Sequence, residues 1–212
     1  MKLYYAETVS PRKVCVASRY LGLPIDYVFV DLRKGEQTRA DYLAINPNGK
    51  VPCLVDGERS LWEADAILCH LAQRAESGLW PRNAQQQIDV VRWMSWNSQH
   101  FSRHAGSLYF EHIIKPWVGM GAPDQPKVAE AQGFFRKHAS VLDQHLEGRK
   151  WLLGDQMSVA DFSVAIMLPY AKDAAMPVGE FAQMQRWHDQ LNALDAWRNP
   201  FPARPSNAAI NA

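Results

Sequence analysis

The chain has 212 residues, of which 47% are hydrophobic and 21% are charged, so it can build a core without disulfides or metals. Its 23 Lys and Arg nearly balance 22 Asp and Glu, and the net charge of +1 excludes the basic surface of a nucleic-acid-binding or membrane-surface protein. No long apolar run occurs and the first residues lack a secretory signal, which predicts a cytoplasmic protein without a membrane span.

The three cysteines, Cys15, Cys53 and Cys69, are odd in number and never spaced C-x-x-C. This pattern predicts reduced thiols in a cytoplasmic compartment, buried as small hydrophobic side chains. It also disfavours a thiol-disulfide oxidoreductase that uses its own cysteines.

Strand and helix signals alternate in the first half of the chain. The run Tyr27-Val28-Phe29-Val30 is continuously apolar, which is typical of a strand buried on both faces. A strand, a helix and a second strand in this order favour parallel pairing. The resulting order is βαβαββα, with elements predicted at residues 2–6, 14–23, 27–30, 39–45, 53–55, 59–61 and 64–75.

The stretch from Asn46 to Leu54 has the pattern of a binding loop. Asn48-Gly49 makes a tight turn, and Pro52 belongs at a strand end, on an edge or in a cis turn. The backbone of Val51 can then pair with a peptide ligand. The first amides of the helix that begins at Ala64 form an anion site, so a small peptide with a terminal carboxylate fits both features.

The second half of the chain has only helical spacing. Glu76 to Asn83 breaks the pattern, and we place a domain boundary there. Asp124 is a predicted N-cap, and Ser158 with Asp161 has capping-box spacing at the start of a buried helix over residues 158–172. The predicted units are a first domain over 1–78, an all-α domain over 84–200 and a loose tail over 201–212.

The residues Asn46-Pro47-Asn48-Gly49-Lys50-Val51-Pro52-Cys53-Leu54, followed by Leu61-Trp62-Glu63, resemble the glutathione site of the glutathione transferase superfamily. The resemblance is to bacterial cytosolic members and covers nearly the whole chain. It implies a thioredoxin-like N-terminal domain, an all-helical C-terminal domain, glutathione as co-substrate, a small apolar electrophile as second substrate and a homodimer. The capping box of Ser158 and Asp161 is also found in that family, in a structural role.

Ser10-Pro11 lies between the first strand and the first helix, where Ser is a favoured N-cap and Pro a favoured first helical residue. The resemblance implies that Ser10 activates the glutathione thiol, because a serine or cysteine stands there in many members. Tyr5, Thr8 and the absence of any activator remain alternatives, since other branches use a tyrosine at the end of the first strand.

The resemblance also implies the glutathione-binding residues. They are Ser10, Gln37, Lys50, Val51, Glu63 and Ala64. Most members carry serine where this chain has Ala64, and loss of that hydrogen bond predicts weakened but not abolished glutathione binding. Gln37 and Lys50 are expected near the glycine carboxylate of the tripeptide, with a solvated loop as the alternative for both.

Asn97 and His104 resemble an asparagine and histidine, seven residues apart, that some bacterial transferases place beside the thiol. One α-helix would carry both on the same face, so they are predicted to line the second-substrate pocket, with donation from His104 to the thiolate as the alternative. Tyr109 is predicted to belong to the same pocket, with a place in the core as its alternative. His100 and His104 have metal-ligand spacing, but no third ligand is indicated, and we predict no metal.

These observations predict a glutathione S-transferase in which Ser10 lowers the pKa of the glutathione thiol. The alternative from another class is a non-catalytic module of the same fold that binds ligands or partners, which the alanine at position 64 favours.

Overall fold

The computed structural model describes residues 1–203 and contains a four-stranded mixed sheet followed by a helical domain. The strand order is β2-β1-β3-β4, with β1 and β2 parallel and the other neighbours antiparallel. The strands are β1 Lys2–Tyr5, β2 Asp26–Phe29, β3 Cys53–Asp56 and β4 Arg59–Trp62. The predicted fold class, a βαβαββα domain followed by an all-helical domain, is confirmed.

Ten α-helices connect and follow these strands within the described part of the chain. In the first domain they are α1 Val9–Tyr20, α2 Ala40–Leu43 and α3 Ala64–Arg74. In the second they are α4 Ala84–Trp96, α5 Ser102–Tyr109, α6 Lys115–Trp117, α7 Gln125–Leu146, α8 Val159–Val164, α9 Ala182–Asn192 and α10 Asp195–Arg198. No helix in this part of the chain is both long and apolar enough to cross a bilayer.

Helices α1 and α3 lie between the sheet and the helical domain, and each contributes to two apolar clusters. Val14 and Ile67 pack on the sheet side with Leu3, whereas Val16 and Leu68 belong to the core of the helical domain. All four are fully buried. Two helices of the first domain therefore contribute directly to the core of the second, beside the cleft that the domains enclose.

Helix α1 begins five residues earlier than the predicted Val14. Thr8 takes the N-cap position with an extended backbone, so Ser10 and Pro11 are the second and third helical residues and Ser10 is not the cap. Pro11 is compatible with this place because the amides of the first helical turn have no intrahelical acceptor.

Strand β2 differs from the prediction that it is buried on both faces. It pairs only with β1, which makes it an edge strand, and its four residues are exposed or half-buried. A continuous apolar run does not distinguish a central strand from an edge strand with a partly covered face.

The helix from Ala84 to Trp117 is continuous but contains two π-helical turns, Asn97–Phe101 and Phe110–Ile114. A π-turn adds one residue to the helix and shifts the following residues around its axis by about 100°, the angle of a single residue. The spacing of residues along α4 therefore does not show which residues of α5 lie on the same face of the helix.

Asp161 forms the predicted capping box with Ser158 at the start of α8. Its carboxylate accepts hydrogen bonds from the Ser158 amide at 2.8 Å, the Leu152 amide at 3.0 Å and the Trp187 indole at 2.9 Å. The regular helix is shorter than predicted, because α8 ends at Val164 and continues as a 3-10 helix over Ala165–Tyr170 that contains Pro169.

The segment after Pro200 was predicted to be loose from residue 201. Phe201 is instead stacked on Tyr5, with ring centroids 6.1 Å apart. Residues 204–212 of that predicted tail lie outside the described residues.

Candidate functional site

A cleft of about 550 Å³ opens between the two domains. The first domain lines it with residues from the start of α1, the loop before β3 and the start of α3. The second lines it with residues from the first π-turn, from α5 and from the 3-10 helix that follows α8. Of the predicted site residues, the cleft contains Ser10, Lys50, Val51, Glu63, Ala64, Asn97 and Tyr109.

The loop before β3 is held in place by two side-chain hydrogen bonds to one of its backbone carbonyls. The carbonyl of Lys50 accepts from the Tyr42 hydroxyl and from the Asn46 side chain, both at 2.6 Å. The Val51-Pro52 peptide is cis, one of the alternatives for Pro52. Within residues 1–203 the backbone of Val51 makes no hydrogen bond, so its polar groups are open to a ligand in the cleft.

The start of α3 lies at the cleft. Glu63 has a left-handed backbone with φ 70° and ψ 112°, a conformation rare for a residue other than Gly and often found at binding sites. Ala64 is the first helical residue and is 6% exposed. The amides of this first turn have no intrahelical acceptor and favour a bound anion.

Ser10 lies in the cleft with an exposed side chain, on the turn of α1 that also carries Val9 and Lys13. The alternative activators are placed differently. Tyr5 is 2% exposed in the sheet-side core, and its ring contacts Tyr27 and Phe29 edge-on. Neither Tyr5 nor Thr8 lines the cleft, so Ser10 is the candidate that the geometry favours.

A charged network that the sequence analysis missed lies beside Ser10. The Lys13 ammonium donates to Asp65 Oδ1 at 2.6 Å and to Ser163 Oγ at 3.4 Å, and Ser163 Oγ donates to the same carboxylate oxygen at 2.8 Å. Lys13 and Asp65 both line the cleft. The network joins α1, α3 and α8, and its members are too far apart in the chain for any local pattern to reveal it.

The wall from the helical domain only partly matches the prediction. Asn97 is buried, and its side chain donates to the Ser163 carbonyl at 3.0 Å and accepts from the Ser102 hydroxyl at 2.8 Å, so it positions the π-turn. Tyr109 lines the cleft and packs edge-on against Tyr170.

His104 is not in the cleft, contrary to the prediction. It lines a second groove, between α5 and α7, which shares Arg103 and Gly106 with the cleft, and its ring stacks there on Phe134 at 4.6 Å and on His138 at 5.5 Å. The reason is the π-turn between Asn97 and His104, which separates two residues that a regular helix would place on one face. Asn97 stays in the cleft, and beside it the cleft is lined by Ser98, Ser102, Arg103 and Gly106 instead of His104.

Gln37 also lies outside the residues that line the cleft. Its backbone carbonyl would be 3.2 Å from a Cβ added at Gly49, so Gln37 is adjacent to the turn that holds Lys50. Its buried side-chain oxygen has no hydrogen-bond partner within residues 1–203.

The cysteines are not candidates for chemistry. Burial raises the pKa of Cys15 and Cys69 to about 12 and that of Cys53 to about 11, so all three are thiols at neutral pH. His100, His104 and His138 stack instead of converging on a common point. Among residues 1–203, no group of three or more His, Cys, Asp or Glu side chains is arranged to hold a metal ion.

Models of two families match the chain: the N-terminal domain of glutathione S-transferase over residues 1–73 and the C-terminal domain over residues 102–205. Glutathione S-transferase 3 of Zea mays is 33% identical over 220 residues, covering 97% of this chain and 97% of its own. Glutathione S-transferase GstB of Escherichia coli (strain K12) is 30% identical over 191 residues, covering 88% of this chain and 90% of its own.

The crystal structure of glutathione transferase F2 from Populus trichocarpa has the same fold, with a TM-score of 0.87 at 24% identity over 94% of this chain and 96% of that chain. These similarities favour an enzyme over a non-catalytic module. The fold, the cleft and the relatives agree, and the chain belongs to the glutathione transferase superfamily with the function of a glutathione S-transferase.

Proposed function

We propose that this transferase binds glutathione in the interdomain cleft and uses Ser10 to hold its sulfur as the thiolate, which attacks a small electrophile. The observation that carries the proposal is that one cavity receives Ser10, the open backbone of Val51 and the first turn of α3. A hydroxyl donor and helix N-terminal amides both stabilise an anion and so lower the pKa of a bound thiol.

In the proposed complex the cysteinyl backbone of glutathione pairs with Val51, and the γ-glutamyl carboxylate lies at the amides that follow Glu63. Lys50, which makes no ion pair within residues 1–203, supplies a positive charge for the glycine carboxylate. Gln37, next to the same turn, approaches this end of the ligand only if the segment moves, because it lies outside the present cleft.

A crystal structure with glutathione bound tests this placement. We expect the sulfur within hydrogen-bond distance of Ser10 Oγ and two backbone hydrogen bonds between the ligand and Val51. A sulfur that lies closer to Thr8 or Tyr5, or a ligand outside the cleft, would overturn the assignment.

Substitution of Ala64 by Ser should strengthen glutathione binding. The added hydroxyl donates to the γ-glutamyl carboxylate, and a hydrogen bond to a charged group contributes about 1.5 to 3 kcal/mol, which is about 10- to 100-fold in Kd. Calorimetric titration of Ala64→Ser with glutathione measures the change. Ala66→Ser is the matched control, because Ala66 is exposed on the same helix and does not line the cleft. Equal affinities for glutathione in the wild type and in Ala64→Ser would contradict the placement of the γ-glutamyl carboxylate beside residue 64.

We further propose that the protein is a cytoplasmic homodimer that needs no metal. Its three cysteines are free thiols, as expected in a reducing compartment. Exposed apolar side chains on α4 and α7 support a contact between copies of the chain. They are Ile88, Val91, Phe134 and Val141, which are between 41% and 61% exposed.

A further inference from the structure

The wall that faces the glutathione-binding residues has more polar and small side chains than apolar ones, although an apolar electrophile would call for an apolar wall. Polar or small residues predominate in it, and the apolar contribution comes from Ile166 and Met167, which are only 3% and 4% exposed. Asn97 is buried as well, and the exposed or half-buried polar and small members are Ser98, Ser102, Arg103, Gly106 and Tyr109. Such a surface solvates a polar substrate better than a hydrocarbon.

Arg103 is the cation in this wall, and it has no counter-ion. Its side chain is exposed and makes no ion pair with any residue between 1 and 203. The Lys13 ammonium, by contrast, is neutralised by Asp65 at 2.6 Å. If Lys50 holds the glycine carboxylate of glutathione, Arg103 is the cleft cation that remains available to another anion.

The cleft has room for a ligand beside Arg103. Gly106 lies one turn further along α5, and a Cβ added there would meet nothing within 4 Å. The space beside position 106 is therefore open, and crowding by neighbouring atoms does not account for the glycine. Glycine nevertheless destabilises a helix interior by about 1 kcal/mol relative to alanine. Tyr109 follows on the same side, and burial raises the pKa of its hydroxyl, which remains a hydrogen-bond donor.

We infer that the second substrate of this transferase is a small electrophile that carries a carboxylate, and that Arg103 selects it by binding that group. The inference rests on the proposed function, since it concerns the partner of glutathione in the same cleft. Arginine matches a carboxylate with two parallel hydrogen bonds. The thiolate attacks the electrophilic carbon, the C–S bond forms, and the leaving group departs with the electron pair of its bond to carbon. The thiol proton has already passed to solvent.

The experiment compares two aryl chlorides of similar size, the anionic 4-chloro-3-nitrobenzoate and the neutral 4-chloro-3-nitrobenzamide. Rates of conjugation are divided by the uncatalysed rates to remove intrinsic reactivity. We expect the wild type to prefer the benzoate in kcat/KM by about tenfold. Arg103→Met should lower kcat/KM for the benzoate by about 10- to 100-fold and for the amide by less than about threefold, the range for loss of a charge-assisted hydrogen bond.

Two further variants make the result specific. Arg103→Lys should retain part of the preference, because a single ammonium still attracts the carboxylate without the paired geometry. Arg82→Met removes the same charge from an exposed residue outside the cleft and should leave both rates unchanged. An equal loss for both substrates in Arg103→Met, or no loss for either, would overturn the inference.

A binding measurement separates this inference from the proposed function. The two S-aryl glutathione products, one with the carboxylate and one with the amide, are titrated calorimetrically into wild type and Arg103→Met. If neither chloride is turned over, the proposed reaction fails for these two substrates, whereas an Arg103-dependent preference for the carboxylate product still supports Arg103 as the residue that binds a carboxylate in this cleft. Equal affinities for the two products in the wild type contradict it even if glutathione conjugation is observed.

Discussion

Substitution of Ser10 by Ala should lower kcat/KM for glutathione conjugation by about 10- to 100-fold at neutral pH. In the proposed complex the hydroxyl donates to the thiolate, and a hydrogen bond to a charged group contributes about 1.5 to 3 kcal/mol. The loss should shrink as the pH approaches the free thiol pKa of about 8.5, because glutathione then ionises without assistance. A pH profile of conjugation, with the thiolate of bound glutathione followed by its ultraviolet absorbance, measures both effects.

Thr8→Val is the matched control for this experiment. Thr8 is the other hydroxyl residue at the start of α1, and it does not line the cleft. We expect Thr8→Val to keep the wild-type pH profile and Ser10→Thr to keep part of the activity. A Ser10→Ala enzyme whose thiol pKa and rate equal those of the wild type would show that Ser10 is not the activator.

Substitution of Asp161 by Ala should destabilise the fold more than any change at the cleft. Asp161 is fully buried, and its carboxylate accepts from two backbone amides and from the Trp187 indole. Removal leaves three buried N–H donors without that acceptor, at about 1 to 3 kcal/mol each, and also removes the acceptor of the Ser158 hydroxyl at 3.1 Å. We expect a loss of about 3 to 5 kcal/mol in the free energy of unfolding, measured by urea denaturation. That is a large part of the 5 to 15 kcal/mol typical of a folded domain.

Asp124→Ala is a suitable comparison, because Asp124 also caps a helix of the same domain. Its carboxylate accepts from the Lys127 amide at 3.3 Å near the surface. Water can replace that contact, so we expect a loss of about 1 kcal/mol. Similar losses for Asp161→Ala and Asp124→Ala would contradict the structural role assigned to the buried carboxylate.

Local patterns predicted the features of the site and of the fold that depend on contacts between neighbouring residues. The Asn48-Gly49 turn, the proline before β3 and the capping box of Ser158 and Asp161 each depend on contacts within a few residues. The sequence therefore indicated where Val51 and the start of α3 would lie, and the family resemblance connected them to one ligand.

The features that were missed depend on distant contacts or on helix phase. Lys13, Asp65 and Ser163 belong to three different helices, and Asp65 and Ser163 are 98 residues apart. The π-turn after Trp96 has no marker in the composition of Asn97 to Phe101, and it turned His104 out of the cleft while admitting Arg103. Thr8 and not Ser10 is the N-cap residue, and because the Thr8 side chain makes no capping hydrogen bond, a preference for hydroxyl residues at this position could not distinguish between them.

The packing of α1 and α3 in both apolar clusters has a consequence for how the molecule behaves as a whole. Val16 and Leu68 could not leave the helical domain without exposing apolar surface on both halves at once. We therefore expect the two matched family domains to unfold as one cooperative unit. An excised first domain would expose the apolar side chains of α1 and α3 that pack in the helical domain. The contacts of Val16 and Leu68 oppose separation of the two walls of the cleft, because separation would expose these side chains to water.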